Sequence, residues 1–147
     1  MELQIHECEK EGIRILELRG SLVAGGPEAT LRETIFALAD KGAVNVILNL
    51  AETKTIDDEG LGAILYCSAT LRNAGGALKL LSLENVVSEP AILMRLGEEF
   101  EVFGDEQDAA NSFFPDRTRP QFDVLKFVEQ GKKQVTTFGQ VASRGQA

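Results

Sequence analysis

The sequence predicts an α/β domain with a mixed β-sheet that opens with an antiparallel hairpin, about four helices packed mainly on one face, and a C-terminal extension. Two short alternating apolar runs flank a charged turn near the N-terminus, which is typical of a hairpin. Apolar, β-branched runs then alternate with segments whose apolar residues recur at helical spacing. Parallel strands need crossover helices, so this order predicts a mixed sheet.

The N-terminal part of the chain predicts a hairpin and a first helix. Leu3–Ile5 and Ile13–Leu18 are alternating runs on either side of a charged turn that contains Gly12. A helix is expected to begin at Pro27, because proline suits the first helical position, and to end at Gly42. The apolar residues of its buried face are Leu31, Ile35 and Leu38.

The middle of the chain predicts a strand, a helix and a second strand. Ala43–Leu50 is rich in β-branched residues and almost continuously apolar, which is typical of a central strand. Glu59–Asn73 has the apolar spacing of a helix, and Gly75 is expected to end it. Leu78–Leu83 then predicts another buried strand.

The remaining elements before the extension are a helix, a strand and a helix. Ser88 is expected to cap the first of these helices, with Pro90 tolerated in its first turn. Phe100–Phe103 predicts a short last strand, and Asp105–Phe113 predicts a last helix.

Composition narrows the function classes. The chain has 147 residues and a formal net charge of −8, which argues against nucleic acid as the main partner. No apolar run approaches the roughly 18 residues that a membrane span requires, and the first residues do not resemble a secretory signal. Two cysteines and one histidine leave little material for disulfides or metal sites. We therefore expect a cytoplasmic protein. Because no nucleophile, base and oxyanion donors come together in the sequence, we also expect no enzymatic activity, cofactor or metal.

Charge divides the chain into a predicted acidic body and a predicted basic extension. Residues 1–114 contain 20 acidic and 9 basic side chains, whereas residues 115–147 contain 3 acidic and 6 basic ones. Two prolines lie close to this change, as expected at a boundary. The extension predicts a helix over about 121–130 and a strand over about 134–138. We expect residues 121–138 to dock on the body or to exchange within a homodimer.

The predicted extension helix carries an apolar stripe, as buried helices do. Phe122, Leu125 and Val128 share one face, and Val124 with Phe127 widens it.

The most informative segment is the junction Thr55-Ile56-Asp57-Asp58-Glu59-Gly60-Leu61-Gly62. It predicts a strand-to-helix connection with three carboxylates at a helix N-terminus, where unpaired amides favour negative charge. Gly60 and Gly62 are poor helix formers, so their presence in the first turn indicates the close approach of another backbone or a partner. A simple acidic helix cap explains the carboxylates equally well.

This junction, after an apolar strand and before a Gly-Gly helix end, resembles the STAS domain of bacterial anti-sigma-factor antagonists. The resemblance covers about residues 1–114 in element order. It implies a protein-binding regulator of transcription whose partner is an anti-sigma factor that is also a serine kinase. In that family the partner phosphorylates a serine or threonine directly before the first glycine, and phosphorylation releases the partner. The implied partner-binding residues are Thr55, Asp57, Asp58, Glu59, Gly60, Leu61 and Gly62, with Leu22–Pro27 flanking them.

The chain departs from the family pattern at two positions. Asp57 matches the leading aspartate, but Asp58 stands where serine is usual and Glu59 stands at the phosphoacceptor position. A carboxylate is not phosphorylated by that route, and it carries a permanent charge of −1 where phosphate adds about −1.5 to −2. One hypothesis is that Glu59 imitates the phosphorylated state. The other is that the partner has changed to match, for instance by offering an arginine.

Other function classes stay open on the sequence alone. The chain is also compatible with a non-switching STAS subunit of a lipid-transport or stress-sensing assembly, or with a binder of a small anionic or lipidic ligand. A magnesium site at Asp57, Asp58 and Glu59 is disfavoured because consecutive side chains point in different directions. Cys67 is expected to be a small core residue, since no activating base accompanies it.

Overall fold

The computed structural model describes residues 3–117 and 122–129. Its strands are β1 (Gln4–Lys10), β2 (Ile13–Leu22), β3 (Asn45–Asn49), β4 (Thr53–Ile56), β5 (Ala77–Leu81) and β6 (Val102–Phe103). Its helices are α1 (Pro27–Asp40), α2 (Asp58–Asn73), α3 (Pro90–Glu99), α4 (Glu106–Asn111) and α5 (124–129).

A mixed six-stranded sheet forms the centre of the fold, in the order β1-β2-β3-β5-β6, with β4 paired to β2. β1 and β2 form the predicted antiparallel hairpin, in which Gln4 lies opposite Arg19. The other strand pairs are parallel, and helices provide the crossovers between β2, β3, β5 and β6. The predicted fold class, a mixed sheet with an N-terminal hairpin, is therefore confirmed.

Among the described strands, β2 is the longest, and it pairs with three other strands. Its first half pairs with β1 on one side and with β3 on the other, from Arg14 to Glu17. Its second half pairs with β4, through Gly20 opposite Thr53 and Leu22 opposite Ile56, with a register shift between the two pairs. The end of β2 and the end of β4 therefore lie side by side, immediately before α1 and α2 begin.

The two faces of the sheet carry separate apolar clusters, because successive side chains of a strand alternate between faces. On β2, Leu16 and Leu18 point to the face covered by α1, α2, α3 and α5. Ile13 and Ile15 point to the opposite face, which α4 covers. Helices therefore pack mainly on one face, as predicted.

Strand β4 was not predicted, and the junction before α2 was expected to be a connection only. Thr53 is buried, and its hydroxyl donates to the Leu18 carbonyl oxygen over 2.7 Å. Ile56 is also buried, while the two residues between them are more exposed. A four-residue strand with two buried side chains gives a weak periodic signal, which explains the omission.

Ser88 does not cap α3, which corrects the predicted role of this residue. Helix α3 begins at Pro90, and its N-cap is Glu89, which makes no side-chain capping bond. The Ser88 hydroxyl instead accepts from the Ile56 amide and donates to the Ile56 carbonyl oxygen, both over 2.8 Å. Pairing with the edge of β4 therefore replaces the capping role.

The described part of the extension packs on the helix-covered face. Val124 and Val128 are buried there, and Phe122 and Phe127 are half-buried with ring centroids 5.4 Å apart. The predicted stripe is wrong at Leu125, which is 52% exposed because the buried face of α5 is centred on the two valines.

The remaining expectations for the extension are untested. The predicted strand over 134–138 and the ends of the predicted helix over 121–130 lie outside the described residues. The division between residues 114 and 115 also stays a prediction.

Candidate functional site

Asp57 fixes the geometry of the β4–α2 junction. It is the N-cap of α2, and its Oδ1 accepts from the Gly60 amide over 2.8 Å. Its Oδ2 accepts from the Ala24 amide over 3.0 Å, in the loop that joins β2 to α1. One carboxylate therefore holds two loops together, and both of its oxygens are occupied within the chain.

Gly60 allows α2 to begin directly against the end of β2. A Cβ at Gly60 would lie 2.0 Å from the Leu22 carbonyl oxygen, far inside any permitted contact. The Asp57 amide also donates to this oxygen, over 3.3 Å. The close backbone approach expected from the sequence is confirmed at Gly60, whereas a Cβ at Gly62 would meet nothing within 4 Å.

Asp58 and Glu59 are the first two residues of α2, and both are exposed. Within residues 3–117 and 122–129, neither carboxylate makes an ion pair or a side-chain hydrogen bond. The helix N-terminus favours such charges by about 0.3–1 kcal/mol each. The junction therefore presents two carboxylates to solvent on a fixed backbone.

Thr55 lies on the outer edge of β4 and is held by the loop before α3. Its hydroxyl donates to the Val87 carbonyl oxygen over 3.1 Å, and the Val87 amide donates to the Lys54 carbonyl oxygen over 2.7 Å. The Val87 side chain is 76% exposed. Sequence reasoning missed this loop, because no local motif indicates that it pairs with β4.

The exposed side of α2 continues away from Glu59 through Gly62 and Tyr66. The three-then-four spacing of these residues places them on one helix face. Tyr66 is 54% exposed, and Gly62 is also exposed. Leu61 is half-buried and packs against the core.

The predicted site residues thus fall into two groups. Those that face solvent are Asp58, Glu59 and Gly62, whereas those that mainly build the junction are Thr55, Asp57, Gly60 and Leu61. Their assignment to partner binding stays a prediction.

The loop between β2 and α1 lies next to this junction through the Ala24 bond to Asp57. Gly25 and Gly26 both adopt positive φ, which glycine permits without strain. The Gly26 amide donates to Glu28 Oε1 over 3.0 Å, and this hydrogen bond lowers the pKa of the Glu28 carboxyl group. This loop therefore lies beside the junction, and the expected part of Leu22–Pro27 in partner binding stays a prediction.

The described residues include few groups that could bind a metal ion or act as a nucleophile. No group of three or more histidine, cysteine, aspartate or glutamate side chains among them could hold a metal ion. Burial raises the pKa of the Cys67 thiol to about 12, so it remains protonated and unreactive. In the part of the chain that the structure describes, no helix is long and apolar enough to span a bilayer.

Several solved structures share the fold. A candidate anti-sigma factor antagonist from Thermotoga maritima superposes with a TM-score of 0.64 at 20% identity, covering 74% of this chain and 92% of that one. The anti-sigma factor antagonist SpoIIAA in its unphosphorylated form gives 0.60 at 17% identity, covering 78% and 99%. The Bacillus cell fate determinant SpoIIAA in its phosphorylated form gives 0.57 at 20% identity, covering 76% and 98%.

Sequence comparisons give the family. The comparison with curated proteins gives no significant match. The family model of the STAS domain matches residues 5–109, which include every strand from β2 to β6 and the whole β4–α2 junction. The chain therefore belongs to the STAS domain family.

Proposed function

We propose that this STAS chain is a regulator of the anti-sigma-factor-antagonist type, which binds a protein partner at the exposed start of α2. We further propose that Glu59 permanently holds this surface in the charge state that corresponds to phosphorylation, so that an anti-sigma factor of the serine-kinase type binds the wild-type chain only weakly. The observation that carries the proposal is the position of Glu59, exposed in the first turn of α2 and directly before Gly60. SpoIIAA, which shares the fold, has been solved in both phosphorylated and unphosphorylated forms.

The chemistry of the carboxylate supports a permanent state. Glu59 adds a charge of −1 beside Asp58, and no kinase or phosphatase acting on a hydroxyl alters it. Phosphate at such a position would add about −1.5 to −2. The chain therefore carries much of that charge without the modification.

The surroundings of Glu59 supply the rest of a protein-binding surface. Tyr66 lies on the same face of α2, and Val87 projects from the loop that pairs with β4. Aromatic side chains often dominate the binding energy of protein interfaces when a partner buries them. The proposed surface thus combines two carboxylates with an exposed tyrosine on the same helix, and the loop that pairs with β4 adds an exposed valine.

The test compares wild type with Glu59→Ser and Glu59→Gln for binding to a purified anti-sigma factor of the serine-kinase type, by calorimetry. Glu59→Ser is expected to raise the affinity for the partner about tenfold or more, because it relieves the charge repulsion that the carboxylate causes. A tenfold change corresponds to about 1.4 kcal/mol of binding free energy. Glu59→Gln should recover part of this gain, because it removes the charge alone. With ATP present, Glu59→Ser should accept phosphate and lose the gained affinity.

Glu98→Ser is the matched control, because Glu98 is an exposed glutamate on α3 rather than at the junction. It should change neither binding nor phosphorylation. If Glu59→Ser gains neither phosphate nor affinity, the charge-state proposal is wrong. If it instead loses affinity that wild type has, the partner has adapted to the carboxylate.

A further inference from the structure

The loop before α3 runs along the outer edge of β4. The Asn85 side-chain amide donates to the Ala51 carbonyl oxygen over 3.3 Å, and the Val87 amide donates to the Lys54 carbonyl oxygen over 2.7 Å. Through these contacts the loop and β4 advance in the same direction, so the loop follows β4 towards the start of α2. Ser88 makes the last contact, at the final residue of β4.

Ser88 satisfies both backbone polar groups of Ile56. Its hydroxyl accepts from the Ile56 amide and donates to the Ile56 carbonyl oxygen, both over 2.8 Å. Ile56 is 1% exposed, so both groups lie in the interior, where a polar group without a partner is costly. One hydroxyl therefore holds the end of β4 from the edge that does not pair with β2.

From Ile56 the chain passes directly into the junction before α2. Asp57 follows, and its carboxylate accepts from the Gly60 amide in α2 and from the Ala24 amide in the β2–α1 loop. The direction of the Asp57 side chain depends on how Ile56 leaves the strand, because the two residues share one planar peptide group. The loop before α3 is thus connected, through two consecutive residues, to the hydrogen bonds that fix the start of α2.

We propose that Ser88 is a positioning residue for the partner-binding surface at the start of α2. Through Ile56 and Asp57, it fixes the backbone from which Asp58 and Glu59 project into solvent. Neither of these carboxylates is hydrogen-bonded to Ser88, so the serine acts on the surface through the backbone. The effect on partner binding rests on the proposed function, whereas the effect on the junction does not.

Amide hydrogen exchange of the full-length chain tests the effect on the junction. Ser88→Ala should speed exchange of the Gly60 and Ala24 amides about tenfold or more, while amides in β3 keep their rates, because only the junction opens. Ser88→Thr retains a hydroxyl and should keep the two junction amides within about threefold of their wild-type rates.

Ser112→Ala is the matched control. The Ser112 hydroxyl also donates to a backbone carbonyl oxygen, that of Ala109, over 2.6 Å, but it lies at the end of α4 on the opposite face of the sheet. This variant should leave exchange at Gly60 and Ala24 unchanged.

Calorimetry tests the effect on binding, with an anti-sigma factor of the serine-kinase type, without ATP, and with Glu59→Ser as the reference chain. Adding Ser88→Ala should lower the affinity about tenfold, because the binding surface is no longer held in one orientation. Adding Ser88→Thr or Ser112→Ala should leave the affinity unchanged. If Glu59→Ser itself gains no affinity over wild type, the proposed function fails and the exchange rates alone decide the role of Ser88.

The proposal is overturned if Ser88→Ala leaves the Gly60 and Ala24 amides at their wild-type rates, or if amides in β3 accelerate as much as they do. It is also overturned if Ser88→Thr behaves like Ser88→Ala, or if the junction amides exchange faster while the affinity of the Glu59→Ser chain stays the same.

Discussion

Gly60→Ala tests whether close backbone packing holds the start of α2 in place. The added Cβ would lie 2.0 Å from the Leu22 carbonyl oxygen, so α2 or β2 must move by about 1 Å or more to reach a normal contact. Overpacking of this kind costs about 1–3 kcal/mol, and the shift strains the Asp57 hydrogen bonds, each worth about 1 kcal/mol. Alanine recovers about 1 kcal/mol of helix propensity. We expect a net loss of about 2 kcal/mol.

Gly62→Ala is the matched comparison, because Gly62 lies two residues further along the same helix and has nothing within 4 Å of its would-be Cβ. It should stabilise the protein by about 0.5–1 kcal/mol through helix propensity alone. Urea denaturation followed by circular dichroism should separate the two variants by about 3 kcal/mol. The packing argument is refuted if Gly60→Ala is as stable as Gly62→Ala.

Two further predictions concern the junction carboxylates and the thiols. Asp57→Ala should lower the free energy of unfolding by about 2 kcal/mol, because two backbone amides lose their acceptor. Asp58→Ala should change the free energy of unfolding by less than about 1 kcal/mol, because the Asp58 side chain is exposed. Urea denaturation measures both variants, and equal losses would contradict the hydrogen bonds assigned to Asp57. In the native protein a thiol reagent should label Cys8, which is exposed, but not Cys67, which is fully buried and whose pKa burial raises; labelling of both before denaturation would contradict this.

The sequence predicted helix ends well where a residue type has one main structural role, as proline, glycine and a capping aspartate do there. The proline and glycine signals at Pro27 and Gly42 bracket α1 to within two residues of its ends. The Asp57-to-Gly62 run identifies the start of α2, because the bond from the Gly60 amide to the capping aspartate is formed within the run itself.

Local sequence patterns could not predict contacts between segments that are distant in the chain. Ser88 reads as a helix cap in isolation, yet its hydroxyl pairs with β4, 32 residues away. Leu125 fits an apolar stripe, but Val124 packs against Gly97 of α3, and this contact places Val124 rather than Leu125 on the buried side of α5. The Asp57 bond to the Ala24 amide spans 33 residues and could not be predicted from either loop alone.

The pairing of β2 with three strands has a consequence for any change of charge at Glu59. Helix α2, which bears Glu59, follows strand β4, and β4 is hydrogen-bonded to the same ten-residue strand, β2, that forms the inner strand of the hairpin. The start of α2 is therefore tied through β4 to an interior strand of the sheet. A change of charge at this position therefore alters the electrostatic potential that an approaching protein meets, while the underlying architecture stays as it was.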